Sequence, residues 1–364
     1  MVVPWGRVLI VKKELEISVL VLFWVSSLAA QGIVSNPSEP VGKKPNRALE
    51  LHEVLRIKDT GDKFYFSGSP GGFASLGLDA NGHVFVQSGK DQILKFTPEG
   101  NFLRNIVRGG QGPGEVSQYF SFLVGDEDVF IIDYGQDRII RMTTDGKLIA
   151  QWRPSSAYNE FIGILKDGLI FSRSNYPPPE DRKGKLMDVP SEVLRVSLNG
   201  AEETLIHTYP VLRFLAQGAA AAWAPFHAAL SDDGKYLFVN HTAEYEISML
   251  DLNTGKTVRT FKRKYKRIEH VPYRGEAEFK KKYGFKRPYE ADINGLYVFG
   301  DLLWVKTSTE DKEKGTLYDA YSYDGIYRDA FVLKKNMVSI QRGYLLSWET
   351  DEEGIHAVVV YKPK

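Results

Sequence analysis

The chain has 364 residues, 43% of them hydrophobic, with 47 lysines and arginines against 46 aspartates and glutamates and no cysteine. A formal net charge of +1 excludes a strong general pull on nucleic acid or an anionic membrane. The absent thiol excludes disulfides, cysteine nucleophiles, thiolate-bound metals and the acylated cysteine of a bacterial lipoprotein.

Residues 12–30 read KKELEISVLVLFWVSSLAA. Two lysines, an apolar run from Ile17 to Val25 and small residues at Ser27 and Ala29 are the parts of a secretory signal peptide. The run is too short for a comfortable membrane span. Residues 1–30 are therefore expected as a signal peptide that is cleaved on export, with the first ten residues an over-extended start. An uncleaved anchor or a buried strand is the other reading. Residues 31–48 are polar and Pro-rich, as a flexible linker would be, ahead of a folded domain over 49–364. The predicted location is periplasmic or secreted, without stable membrane insertion after cleavage.

From His83 to Arg153 one unit is written twice: HVFVQS, QILKFT, a PEGN turn and FLRNIV, then DVFIID, RIIRMT, a TDGK turn and LIAQWR. Fainter copies follow in phase, with GLIFSR, YLFVNH, LLWVKT and YLLSWE as further second strands. Their third strands are EVLRVS, EISMLD, LYDAYS and AVVVYK. Several third strands share a basic residue after two or three apolar ones. The sixth unit ends the chain after its third strand, while LHEVLRI (51–57) precedes the first unit without one of its own. Pairing these two closes a ring, which hides sheet edges. Runs such as Val129 to Ile132 are apolar on both faces, as sheets packed between two neighbours require. The predicted fold class is all-β, a six-bladed β-propeller of four-stranded blades.

The two clean copies resemble NHL-type repeats. The loop GGQGPGE (Gly109 to Glu115) is similar to the G-x-GPGE motif of bacterial secreted six-bladed β-propeller proteins. The resemblance is strongest over residues 49–153. Gln87 stands where an aspartate is common, whereas Asp133 keeps it. What the resemblance implies is a fold and export. It implies no reaction, because propellers host unrelated functions.

Propeller topology brings the strand-four-to-one and strand-two-to-three loops to one face. The long segments all belong to that class: 109–115, 174–191, 210–225 and 262–290. Long loops gathered on one face mark the expected binding surface. Segment 262–290 carries eleven lysines and arginines against four glutamates. It is either an anion site over the channel mouth or an ordinary solvated charge run. Within it GEAEFKKKYG suits a short helix. Leu212 to Trp223, rich in alanine, suits a lid helix. Trp223, Phe226 and Tyr176 offer an aromatic ligand surface or plain packing. GGQGPGE lacks the helix and lysine of a phosphate loop and reads as a brace between the first two blades, with Glu115 accepting from loop amides.

The expected function is an exported, non-enzymatic binding or scaffold protein that meets a protein, glycan or anionic ligand on the long-loop face. The candidate binding residues are Arg108, Gln111, Glu115, Tyr176, Trp223, His227, Lys264, Lys266, Arg267, Arg274 and Arg287. No nucleic-acid partner, cofactor or metal is expected, since inner-strand carboxylates are too few for calcium and no histidine spacing suits zinc. A monomer is expected. The alternative is a channel-mouth hydrolase or lyase using His227, Glu160 and Asn294. It requires polar groups to converge there with a perturbed pKa.

Overall fold

A computed structural model describes residues 32–41, 47–61, 64–66, 75–89, 91–216, 219–222, 224–272, 276–284, 287–334 and 337–364. The predicted signal peptide lies outside the described residues, as do Trp223 and Arg274.

Six sheets follow one another around a ring, and the fold is a six-bladed β-propeller. Three short N-terminal strands come first: β1 (Gly32–Asn36), β2 (Arg47–Ala48) and β3 (Leu51–Lys58). Blade 1 holds β4 (Leu76–Leu78), β5 (Val84–Ser88), β6 (Gln92–Phe96) and β7 (Phe102–Asn105). Blade 2 holds β8 (Phe120–Val124), β9 (Asp128–Asp133), β10 (Arg138–Thr143) and β11 (Leu148–Trp152). Blade 3 holds β12 (Glu160–Leu165), β13 (Gly168–Ser174), β14 (Lys183–Ser197), β15 (Glu203–Ala216) and β16 (Ala219–Ala222). Blade 4 holds β17 (His227–Leu230), β18 (Tyr236–Asn240), β19 (Glu246–Asp251) and β20 (Lys256–Arg263). Blade 5 holds β21 (Ile293–Phe299), β22 (Leu302–Asp311), β23 (Gly315–Ser322) and β24 (Tyr327–Leu333). Blade 6 holds β25 (Met337–Gln341), β26 (Tyr344–Thr350) and β27 (His356–Pro363).

The ring closes as the chain ends imply. β3 supplies the fourth strand of blade 6, antiparallel to β27, with Ile57 opposite Val358 and Leu55 opposite Val360. Gln341 completes the join to blade 1: its Oε1 accepts from the Leu78 amide at 2.8 Å and its Nε2 donates to the Leu76 carbonyl at 3.2 Å.

Apolar clusters fill the spaces between successive blades. Phe85 and Ile93 of blade 1 pack on Phe122, Val129 and Ile131 of blade 2, all fully or nearly buried. This two-sided burial explains the doubly apolar strands, because each middle strand faces a neighbouring sheet on both sides. The recurrent basic residue of the third strand has a common use as well. Lys95 reaches Asp145 of the next blade at 2.8 Å, Arg141 reaches Asp128 in its own blade at 2.7 Å, and Arg195 pairs with Asp167. Asp145 and Asp167 sit in short turns on the face opposite the long loops, and Asp128 opens β9 directly after such a turn.

The interface of blades 4 and 5 is polar at its centre. Asp319 is fully buried and accepts from Arg263 Nε at 2.8 Å, Tyr245 at 2.5 Å and Tyr327 at 2.6 Å. Burial raises the Asp319 carboxyl above its ordinary range, and the arginine and the phenols oppose that rise. The Arg263 guanidinium lies 4.7–5.2 Å from the ring centres of Tyr245, Tyr265 and Tyr327. A buried charge pair needs such added hydrogen bonds to offset its desolvation.

Three segments depart from expectation. Residues 31–48 are not wholly a loose tether: β1 adds parallel to β20 as a fifth strand of blade 4, and β2 adds parallel to β24 on blade 5. The outer strands carry unpaired backbone groups that these residues satisfy. Asn36 fixes the first crossing, donating to the Gly325 carbonyl at 2.9 Å and accepting from the Tyr327 amide at 3.0 Å. Residues 212–216 and 219–222 belong to strands β15 and β16 rather than to a lid helix, because LMDV (186–189) of β14 offers a facing ladder to VLRF (211–214). Much of segment 174–191 is likewise drawn into β14 instead of remaining a loop. The short helix in 276–283 does form, and we label it α1 (Glu276–Tyr283).

Candidate functional site on the long-loop face

Every inner strand, β4, β8, β12, β17, β21 and β25, begins at the same end of the ring, so the long connections emerge together there. The exposed tyrosines among the described residues are Tyr65, Tyr119, Tyr134, Tyr176 and Tyr289. All five lie in connections of this face. Tyrosine presents a large, rigid surface with a polar tip, at small entropic cost on binding. The face divides into a glycine-loop half, a capped basic half and the channel mouth between them.

The glycine loop is a braced element. Arg138, at the start of β10, donates to the carbonyls of Gln111, Gly112 and Glu115 at 3.3, 3.1 and 2.5 Å and to Asp133 at 3.1 Å. Asp133 also accepts from the Ser117 amide at 3.1 Å. The Glu115 carboxylate accepts from the Gly112 amide at 2.7 Å. A side chain at Gly110 would overlap that carboxylate, so glycine is required there. In blade 1 Gln87 takes the place of the aspartate and donates to the Phe120 carbonyl at 3.0 Å, tying the blades with a neutral group. Gln111 lines a cleft beside the loop, and Arg108 is exposed.

The basic half is a cap made from two distant segments. β14 and β15 extend beyond blade 3 as a long hairpin. Helix α1 rises from the connection between blades 4 and 5. The ring of Tyr283 on α1 lies 5.5 Å from that of Phe214 on β15. Tyr176, 37% exposed, stands between the guanidinium groups of Arg182 at 5.7 Å and Arg213 at 5.9 Å. Arg213 Nε is buried with no hydrogen-bond partner among the described residues. Lys183 and Lys185 on the hairpin and Lys281 and Lys282 on the helix are exposed. Neither the hairpin lysines nor Arg182 and Arg213 stood out in the sequence, because only the cross-strand pairing of β14 and β15 gathers them.

α1 is also latched to its own connection. His270 Nε2 lies 2.6 Å from Glu276, the first residue of α1, and Nδ1 lies 2.6 Å from Glu290. Desolvation lowers the His270 pKa, but hydrogen bonds to both carboxylates outweigh it and the net shift is upward. Two of the sequence candidates are committed within this connection. Arg267 pairs with Asp292 at 3.1 Å and lies 5.0 Å from the Tyr289 ring, while Arg287 pairs with Glu290 at 2.8 Å. Lys264 and Lys266 are exposed.

The channel holds a cavity of about 300 Å³ lined by Glu160, Ile162, Ala228, Leu296, Tyr297 and Ser339. Glu160 touches channel solvent at the start of β12, yet protein encloses it on all sides. Desolvation by that surrounding protein pushes its carboxyl up to about 7. His227, at the start of β17, is held down at about 4, first by burial and then by Lys306. Asn294 is exposed at the start of β21. No hydrogen bond joins Glu160, His227 and Asn294 to one another. Ser121 is engaged with the Tyr134 hydroxyl at 3.0 Å and Ser339 with Gln341 at 3.1 Å. Asn240, within a glycosylation sequon, is fully buried and spends its amide on three backbone carbonyls, which fits a turn.

Residues 78–220 match a family model described as a 6-bladed beta-propeller, DUF5128. A Bacteroides fragilis protein named as an exported one is similar over 92% of this chain and 100% of its own, at 14% identity and a TM-score of 0.56. A member of the DUF4221 family from Bacteroides vulgatus is similar over 88% of this chain and 99% of its own, at 13% identity and a TM-score of 0.54. At such identities the likeness shows the fold alone. No curated protein matches the chain.

Proposed function

We propose that this protein is an exported, non-enzymatic binding propeller that receives an anionic ligand on the capped basic half of its long-loop face. The observation that carries the reading is the Phe214–Tyr283 contact. It holds the lysine-bearing helix beside the lysine-bearing hairpin, next to a tyrosine flanked by two arginines. Cations fixed on two elements that support each other raise the local concentration of an anion with little reorganisation on binding. Of the sequence candidates, Tyr176, Lys264 and Lys266 retain exposure for this role, while Arg267 and Arg287 serve the scaffold beneath. Export is supported by the signal-like segment 12–30 and by the name of the similar Bacteroides fragilis protein.

The test is binding of polygalacturonate, with neutral dextran as control, to the chain from residue 32 onward. Affinity is expected to fall steeply with added salt. It is also expected to fall at least about tenfold when Lys183, Lys185, Lys281 and Lys282 are all changed to glutamate, about 1.4 kcal/mol or more. Equal binding of both polymers, or no response to the four substitutions, would overturn the reading.

A second reading has one observation in its favour. Glu160 and His227 begin adjacent inner strands, and their environments push their pKa values in opposite directions. Separated titrations of this kind are a mark of acid/base sites. Glu160, near 7, is tuned for proton transfer, whereas His227 near 4 is a weak base. Turnover of ester or lactone substrates that is lost in Glu160→Gln would establish a channel-mouth hydrolase instead.

A further inference from the structure

Beside the glycine loop, blades 1 and 2 part to leave a cleft of about 750 Å³ on the long-loop face. That lies within the roughly 300–1,000 Å³ typical of small-ligand sites. Its walls include Tyr65, Asp91, Gln111, Ser117, Gln118 and Gln136, and no lysine or arginine lines it among the described residues. It is therefore chemically unlike the basic half across the channel.

The polar groups in this cleft are mostly unspent. The side chains of Asp91, Gln111 and Gln118 make no hydrogen bond among the described residues. Gln136 donates Nε2 to the Gly110 carbonyl at 2.7 Å, and its Oε1 accepts nothing from them. Tyr65 is 56% exposed, and its ring is free of stacking partners among the described residues. The frame around these groups is rigid, since Arg138 and Asp133 fix the loop that carries Gln111. Glycine builds the walls where space is tight: a Cβ at Gly109 would lie 2.6 Å from Asp91 Oδ2, and one at Gly135 would overlap Ser117 Oγ.

We propose that this cleft binds an uncharged sugar residue. A pyranose carries hydroxyls that each donate and accept, around an apolar C–H face. Glutamine amides supply both a donor and an acceptor. A lone carboxylate accepts strongly from hydroxyls. An exposed phenol ring covers the C–H face with little loss of freedom. An anion finds no cation among the described residues here, and an apolar ligand would leave three amides and a carboxylate unpaired. This inference is independent of the anion reading, which concerns other residues and charged probes.

The experiment is calorimetric titration of the chain from residue 32 onward with cellobiose, maltose, mannobiose and lactose. At least one is expected to bind with a Kd between about 10 µM and about 1 mM, unchanged by 0.5 M (roughly physiological times three) salt. Tyr65→Ala and Gln118→Ala, both at exposed positions, are each expected to weaken binding at least about fivefold. Tyr65→Phe is expected to retain it, and Tyr176→Ala, in the basic half, to leave it unchanged. A matching hexasaccharide that binds more tightly than its disaccharide assigns a polymer chain as the source, and equal affinity assigns a free sugar. Failure of all four disaccharides to bind, or binding that Tyr65→Ala and Gln118→Ala both leave intact, would overturn the proposal.

Discussion

Phe214 and Tyr283 are 69 positions apart in the chain and meet with ring centres 5.5 Å apart. One belongs to the hairpin that extends blade 3, the other to the helix between blades 4 and 5. The contact couples the two longest insertions of the propeller into one cap. Tyr283→Ala is expected to cost about 0.5–1.5 kcal/mol of local stability through the lost ring pair. Global melting should change little, because the cap lies outside the blade cores. Hydrogen exchange over 276–283 should accelerate, and binding of the anionic polymer should weaken with it.

The Arg263–Asp319 pair predicts a much larger effect. Asp319→Ala would leave a guanidinium that is 6% exposed without its carboxylate, and would remove the acceptor of two tyrosine hydroxyls. Breaking a buried pair from one side costs about 3–5 kcal/mol. A large drop in the denaturation midpoint is expected. Arg263→Lys should recover only part of the wild-type stability, since an ammonium cannot reproduce the planar fork.

The glycine loop can be tested by one methyl group. Gly110→Ala would push against the Glu115 carboxylate and break its bond to the Gly112 amide. A loss of about 1–3 kcal/mol is expected from overpacking a braced loop. Gly284→Ala has open space around its Cβ but a φ of +67°, so its cost should come from backbone strain alone and be about 1 kcal/mol.

The His270 latch should respond to pH in one direction. Its folded pKa lies above the ordinary value of 6.5, so protonation favours the folded latch. The stabilisation is fully present below pH 6.5 and is lost as pH rises through the folded pKa. NMR titration of His270 should therefore report a raised pKa, and exchange over α1 should quicken on the alkaline side. A His270 pKa at or below 6.5 would rule the latch out.

Glu160 should act in the same sense for a different reason. Its carboxyl is pushed up from 4.5 to about 7 by desolvation in the channel. The protonated form suits the fold, so Glu160 becomes relatively unfavourable as pH rises between these two values. The melting temperature of the wild type minus that of Glu160→Gln should fall across this window and then level off. A difference independent of pH would show that the carboxyl titrates normally.

The repeat pattern makes the blades legible in the sequence. The doubly apolar runs around Val86 and Ile131 required sheets on both sides, and the orphan strand 51–57 required the truncated sixth unit. The brace role of GGQGPGE also followed from its glycines and Glu115, although nothing in the loop pointed to Arg138 as the residue that holds it. The site was far less readable. Arg267 and Arg287 looked available because a run of cations carries no record of Asp292 and Glu290 as their partners. The alanines of 212–222 suggested a helix because local propensity ignores the facing strand that β14 supplies.

The sequence by itself determined the sixfold ring, its closure and the face where the long connections emerge, because strand periodicity and turn positions are local properties repeated along the chain. The tertiary structure alone decided which charges are spent and which remain free, how two remote insertions become one cap, and where a cleft opens between blades 1 and 2. Those depend on contacts between segments tens to hundreds of residues apart, and local sequence does not encode such distances.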